Sequence, residues 1–173
     1  AVFFYAGHGV QVQGENWLLP VGLTPATRIS EEGQVPHRAI AAGEVLAQME
    51  AARVPVNLVI LDACRNNPFK GAGRGRVQGL AELNAPVGSL VMYATAPGKV
   101  AADGSGRNSP FTTAFLRHVL RPGLDVRLMV TEINNTVAEL TAGAQTPWAS
   151  LSLRQGFAFV PALTVEEEKA IRL

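Results

Sequence analysis

Two stretches of the chain are almost continuously apolar and then end in polar residues or glycine. Residues 56–64 read VNLVILDAC, and residues 1–9 read AVFFYAGHG. Short apolar runs that stop in this way are typical of strands buried in a parallel sheet. The first stretch ends in Cys64, the only cysteine of the chain, and the second carries His8 at its end.

The segment between these two strands predicts a helix. Residues 39–52 are mostly good helix formers, and their apolar positions recur at near-helical spacing: Ile40, Val45, Leu46 and Met49. A strand, a helix and a strand in this order form a right-handed crossover, which makes the two strands parallel and adjacent. Neighbouring strands lie about 4.8 Å apart, so His8 and Cys64 are expected together at the carboxyl edge, where open α/β sheets bind ligands.

The second half of the chain predicts a further strand, two helices and a last strand. The strands are expected at residues 88–95 (GSLVMYAT) and 156–160 (GFAFV). Ser109 is an N-cap candidate for a helix over residues 110–120, with proline at its first position. Asp125 is the corresponding candidate for the next helix. The apolar positions of that helix expected to face the core are Leu128, Met129, Ile133, Val137 and Leu140.

Turns and loops separate these elements. Residues 7–9 predict a tight turn after the first strand, and residues 16–20 (NWLLP) a short strand or hairpin arm. Residues 66–79 are rich in glycine and lack apolar periodicity, which predicts an exposed loop. No Gly-Lys-Ser/Thr follows these glycines, so a phosphate-binding site is not expected there. The loop carries three basic residues: Lys70, Arg74 and Arg76.

Composition narrows the class of protein. A chain of 173 residues that is 47% hydrophobic can bury one substantial core, which favours a single α/β domain. Its 15 basic and 14 acidic residues leave a net charge of +1, which gives no electrostatic case for nucleic acid or an acidic membrane. One cysteine cannot form an internal disulfide, and with three scattered histidines it has no zinc-ligand spacing. No apolar run reaches the ~18 residues of a membrane helix.

Cys64 and His8 are the candidates for chemistry. Cysteine is often buried as a small hydrophobe, and a lone histidine is usually structural. The charged and turn-forming residues around Cys64 argue against burial, and His8 stands between two glycines. A thiol has a reference pKa near ~8.5 and needs a base such as imidazole to act as a nucleophile at neutral pH. The backbone N–H groups of Gly9 and Cys64 are the expected donors to a tetrahedral oxyanion.

Four segments resemble the caspase-like cysteine peptidases, specifically their bacterial metacaspase and paracaspase branch: FFYAGHG, NWLLPVG, VILDACRNNPF and MYATAPGKVAADGSGRNSPF. The similarity covers residues 2–160. The distance from His8 to Cys64, 64 − 8 = 56 residues, fits the histidine about 50 residues upstream that caspases show. The cysteine flank is Asp-Ala-Cys-Arg-Asn and not Gln-Ala-Cys-x-Gly, so the aspartate specificity of true caspases is not expected.

The resemblance implies a caspase-like three-layer sandwich, with a mostly parallel sheet and helices on both faces. It also implies a peptidase domain over residues 1–163, a charged extension over residues 164–173, and a strand and helices ahead of Ala1. In paracaspases the positions that match Asp62 and Asp103 line the substrate pocket, and two carboxylates there favour Arg or Lys. The alternatives are a loop-capping carboxylate for Asp62 and a solvated turn residue for Asp103.

The expected function is therefore a cysteine endopeptidase that cleaves protein or peptide substrates after Arg or Lys through a Cys64–His8 dyad. Self-cleavage is expected at Lys70, Arg74 or Arg76, which match that specificity. Two alternatives stay open: a catalytically idle caspase-like scaffold, and another Cys-His hydrolase with a different pocket. No cofactor or metal is expected. Calcium activation, known in parts of the family that the chain resembles, stays open, because no compact carboxylate cluster resembles a calcium loop. Neither nucleic acid nor membrane is an expected partner.

Overall fold

The structure is a computed structural model, and it describes residues 1–23, 32–64, 80–97, 99–164, 166–167 and 170, with Cys64 described by its backbone. The strands are β1 (Val2–Val12), β2 (Glu15–Leu18), β3 (Ile40–Ala41), β4 (Asn57–Cys64), β5 (Ser89–Tyr93) and β6 (Trp148–Leu151). The helices are α1 (Ala42–Ala51), α2 (Pro110–His118) and α3 (Val126–Leu140), and a 3-10 helix covers Glu32–His37.

Within the described ranges the strands form one six-stranded sheet in the order β3-β2-β1-β4-β5-β6. The central strands β1, β4 and β5 are parallel to one another. β2 pairs antiparallel with β1, β6 pairs antiparallel with β5, and β3 pairs antiparallel with β2. The predicted strand, helix and strand unit is confirmed, because β1 and β4 are parallel neighbours and α1 lies between them in the chain. The predicted α/β sandwich is confirmed as a mixed sheet with a parallel centre.

Two of the three described hydrophobic clusters cover the two faces of the central strands. Because side chains alternate along a strand, Leu58 and Ile60 of β4 belong to one core, and Val59 and Leu61 to the other. The first core also contains apolar residues of α2 and α3, and the second contains Leu46 of α1. β4 is therefore buried on both faces, which explains its nearly continuous apolar sequence.

The predicted turn at Gly7-His8-Gly9 is wrong. β1 runs through these residues to Val12, because it pairs with β4 as far as His8 and with β2 from Gly9 onward. The chain reverses at Gln13 and Gly14, whose φ angles of 54° and 83° suit a two-residue hairpin turn. The predicted hairpin arm in residues 16–20 is confirmed as β2.

The predicted last strand at residues 156–160 is also wrong. The edge strand is β6, which pairs antiparallel with β5. Residues 156–160 form no strand, but Phe157 and Phe159 are partly buried against the core of α2 and α3. Their alternating pattern therefore reflects packing of a loop onto that core.

Helix boundaries and faces agree with the sequence only in part. The N-caps Ser109 and Asp125 are confirmed, since each side chain accepts a hydrogen bond from a backbone N–H of the first turn. Of the α3 positions expected in the core, Leu128 and Leu140 are exposed, whereas the other three are buried. Ile40 lies in β3 and is 50% exposed, because pairing with β2 delays the start of α1 to Ala42.

Candidate active site

Strand register brings the backbones of His8 and Cys64 side by side. In the parallel ladder of β1 and β4, Ala6 pairs with Asp62, Gly7 with Ala63, and His8 with Cys64. Adjacent strands lie about 4.8 Å apart. β4 ends at Cys64, so the pair stands at the carboxyl end of a central strand. The meeting of the two residues at one sheet edge, expected from the sequence, is present in the backbone.

Tyr5 holds the backbone beside His8, and no role for it was predicted from the sequence. Its hydroxyl lies 2.7 Å from the carbonyl oxygen of His8 and 2.8 Å from that of Leu19. The N–H of Leu19 donates to the same His8 carbonyl at 3.0 Å. Burial raises the pKa of Tyr5 above its ordinary value of 10.0, so the phenol is a protonated donor at neutral pH.

Gly7 leaves the space that Tyr5 occupies. A Cβ atom at Gly7 would lie 2.7 Å from the Tyr5 hydroxyl oxygen, closer than van der Waals contact allows. The glycine before His8 therefore serves close packing, and not a turn. Tyr5, Gly7 and His8 form one local unit. The Tyr5 side chain lies beside Gly7 and binds the His8 carbonyl of the same strand.

Gly9 is buried and packs closely against the core that contains Leu80 and Ala63. A Cβ atom there would lie 3.1 Å from Leu80 Cδ2 and 3.3 Å from Ala63 Cβ. Gly9 is not among the residues that line the cleft beside His8. The expected role of the Gly9 and Cys64 N–H groups in an oxyanion hole stays a prediction.

A cleft with a volume of about 260 Å³ lies next to this strand edge. Three of the residues singled out from the sequence line it: the exposed His8, the buried Asp62 and the exposed Asp103. The remaining lining residues are Ala6, Gly7, Arg107, Asn108, Ser109 and Thr112. The proposed self-cleavage positions Lys70, Arg74 and Arg76 lie outside the described residues.

Asp62 is bound to the first turn of α2. Asp62 is only 6% exposed. Its Oδ2 accepts hydrogen bonds from Ser109 Oγ and Thr112 Oγ1, both at 2.5 Å. Ser109 Oγ in turn accepts from the N–H of Thr112 at 2.9 Å as the N-cap. The sequence shows two hydroxyl residues, Ser109 and Thr112, three positions apart at a helix start. It does not show that they bind Asp62, which lies 47 residues before Ser109.

Gln145 binds the backbone of the loop that carries Asp103. This buried amide donates from Nε2 to the Ala94 carbonyl at 2.7 Å and accepts at Oε1 from the N–H of Ala102 at 2.9 Å. The two bonds tie the end of β5 to the residue before Asp103. Gln145 therefore positions one wall of the cleft without lining it.

Arg107 is a basic residue of this cleft that was not predicted from the sequence. It is exposed and lines the same cavity as Asp62 and Asp103. Its guanidinium offsets part of the negative charge that the two carboxylates bring. A cleft with carboxylates and one cation attracts basic ligands less strongly than one lined by the carboxylates alone.

Neither a metal-binding group nor a membrane-spanning helix is present in the described part of the chain. Its His, Cys, Asp and Glu residues form no group of three or more that could hold a metal ion. Among the described helices, none is long and apolar enough to cross a membrane.

The fold is an α/β sandwich with parallel central strands, and a histidine is paired with a cysteine across two of them. This arrangement is that of the caspase-like folds. Among solved structures, the chain is similar to the crystal structure of caspase-1 from Spodoptera frugiperda, with 17% identity and a TM-score of 0.51. The match covers 72% of this chain and 57% of that one, so this chain spans little more than half of its length. No curated protein matches the chain.

The family model described as the caspase domain matches residues 1–158. The chain belongs to the caspase domain family. This membership supports a protease-type function in general terms.

Proposed function

We propose that the protein is a cysteine endopeptidase that cleaves protein or peptide substrates after Arg or Lys. The observation that carries the proposal is the pairing of His8 with Cys64 across β1 and β4, next to a cleft lined by Asp62 and Asp103. The register supports a nucleophile and a base within reach of each other, and the cleft supports a pocket for a basic side chain.

In the proposed reaction, His8 takes the thiol proton and the Cys64 sulfur attacks the scissile carbonyl carbon. The N–H groups of Gly9 and Cys64 stabilise the negative oxygen of the tetrahedral intermediate. The carbon–nitrogen bond then breaks, and the leaving amine receives the proton from His8. A water molecule, deprotonated by His8, attacks the thioester, so that the carboxylic acid leaves and the thiol is regenerated.

Substrate selection in this proposal rests on charge. A guanidinium or ammonium group entering the cleft meets Asp62 and Asp103, while Arg107 limits the total negative charge. Acidic side chains would be repelled, in contrast to the specificity of true caspases. The same preference leads us to propose self-cleavage after Lys70, Arg74 or Arg76, to be tested by mass spectrometry of an active preparation against the Cys64→Ala protein.

The test uses three fluorogenic peptide reporters that end in Arg, Lys or Asp. The protein is expected to hydrolyse the first two, with Cys64→Ala and His8→Ala each lowering kcat by at least about 1,000-fold. His37→Ala is the matched control, because His37 is exposed and lies outside the cleft. Equal activity in the Cys64→Ala protein would refute the mechanism, and activity on the Asp reporter alone would refute the specificity. A protein inactive on every reporter would favour the scaffold alternative.

A further inference from the structure

The two hydroxyl groups bound to Asp62 limit how this carboxylate can receive a substrate. Each carboxylate oxygen has two lone-pair sites. Ser109 and Thr112 both donate to Oδ2, which fills the two sites of that oxygen. Among the described residues, no hydrogen bond to Oδ1 accompanies them, and Asp62 lines the cleft.

We propose that Ser109 and Thr112 are positioning residues for substrate recognition, which hold Asp62 by Oδ2 so that Oδ1 alone receives the basic side chain. The inference rests on the proposed function and adds how the pocket works. Both positioning residues also line the cleft. Their hydroxyls would be open to a ligand there if they did not already bind Asp62. A fixed carboxylate loses no rotamer freedom when the ligand binds.

This arrangement has a consequence for the substrate class. A guanidinium usually binds a carboxylate through two parallel hydrogen bonds, one to each oxygen. With Oδ2 filled, Asp62 cannot form that pair and offers a single contact, which an ammonium group makes equally well. A preference for Arg over Lys must then come from Asp103, the other carboxylate that lines the cleft.

The competing explanation is that Asp62 serves only the fold, as a carboxylate that binds the start of α2. Ser109 caps that helix, and negative charge near a helix N-terminus is stabilising. Both explanations predict a loss of stability when a hydroxyl is removed. Only the positioning role predicts a loss of affinity for a basic ligand that exceeds the effect of an equally destabilising change elsewhere.

The experiment measures binding of N-acetyl-arginine amide and N-acetyl-lysine amide by calorimetry, in the Cys64→Ala protein so that no turnover occurs. Thr112→Val removes the hydroxyl but keeps the shape, and is expected to weaken binding of both probes about tenfold. Thr112→Ser restores the donor and is expected to stay within about twofold of the parent. Thr113→Val is the matched control, because Thr113 is the next residue of α2 and does not line the cleft.

Unchanged affinity in Thr112→Val, together with a lowered Tm, would show that the hydroxyls serve only the helix and would overturn the inference. A parent protein that binds neither probe would overturn it as well. Asp103→Asn, measured in parallel, is expected to weaken the arginine probe more than the lysine probe; equal losses would contradict the assignment of the Arg preference. Failure of the peptidase proposal is read separately, from hydrolysis by the protein with Cys64 intact.

Discussion

The two sides of the candidate site are built by different interactions. On one side, the backbone ladder of β1 and β4 sets His8 opposite Cys64, and the Tyr5 hydroxyl supports the His8 carbonyl beside it. On the other side, the wall formed by Asp62, Asp103 and the start of α2 depends on a few side-chain hydrogen bonds. The strand side should therefore keep its geometry through most substitutions, whereas the cleft wall should respond to the loss of a single polar group.

The largest effect is expected where the strand side does depend on a side chain. Gly7→Ala brings a Cβ atom to 2.7 Å from the Tyr5 hydroxyl, which forces the ring away from the carbonyls that it holds. We expect kcat to fall about 100-fold and stability by about 2 kcal/mol, measured by reporter hydrolysis and urea unfolding.

Gly33→Ala is the control for this change, because an added Cβ there meets no atom within 4 Å. The double variant Gly7→Ala/Tyr5→Phe should lose less than the sum of the single losses, since both act on one contact. Strict additivity would show that the two residues act independently and would contradict the shared contact.

The next largest effect is expected at the cleft wall. Gln145→Ala removes the amide that joins the Ala94 carbonyl to the Ala102 N–H, and leaves the buried Ala94 carbonyl without that partner. We expect about 2 kcal/mol of lost stability and a several-fold higher KM for the Arg reporter, with kcat little changed.

Gln48→Ala is the matched control, because Gln48 is exposed on α1 and its amide donates to Glu44 one turn away. A fall in kcat with unchanged KM in Gln145→Ala would contradict the view that this residue supports substrate binding.

A smaller effect is expected for Tyr5→Phe, which removes the hydroxyl without adding an atom. At pH 7 we expect about 1 kcal/mol of lost stability and a kcat lower by about fivefold, because the His8 carbonyl loses a donor. Burial raises the folded-state pKa of Tyr5, so its stabilising contribution is complete below pH 10 and is lost as the pH rises through that higher value.

The Tm difference between the two proteins should accordingly shrink as the pH rises from about 10 to about 11. A constant difference over this range would mean that the Tyr5 hydroxyl does not titrate from a buried position.

The smallest effect is expected for Arg107→Ala. Removing a cation from an exposed position in the cleft should raise kcat/KM for the Arg reporter about two- to threefold at low salt, by lowering KM. The gain should vanish at about 0.5 M salt, where charges in water are screened. Arg154→Ala is the control, since Arg154 is exposed and lies outside the cleft; an equal gain there would point to net charge.

Much of the fold could be predicted because its signals are local. The apolar run before Asp62 predicts a buried strand, and the order of strand, helix and strand makes β1 and β4 parallel neighbours. The caps Ser109 and Asp125 follow from residue type and position alone. The errors at residues 7–9 and 156–160 share another origin: glycine and alternating aromatic residues have local preferences that distant packing overrode.

The sequence by itself determined that His8 and Cys64 lie on neighbouring strands, because the order of strand, helix and strand makes β1 and β4 parallel neighbours. Only the tertiary structure decided how Asp62 is held and that Arg107 shares its cleft. The bonds of Asp62 join residues 47 and 50 positions apart, and no periodic pattern encodes such pairs. They exist because the packing of α2 against the sheet brings its first turn to the end of β4.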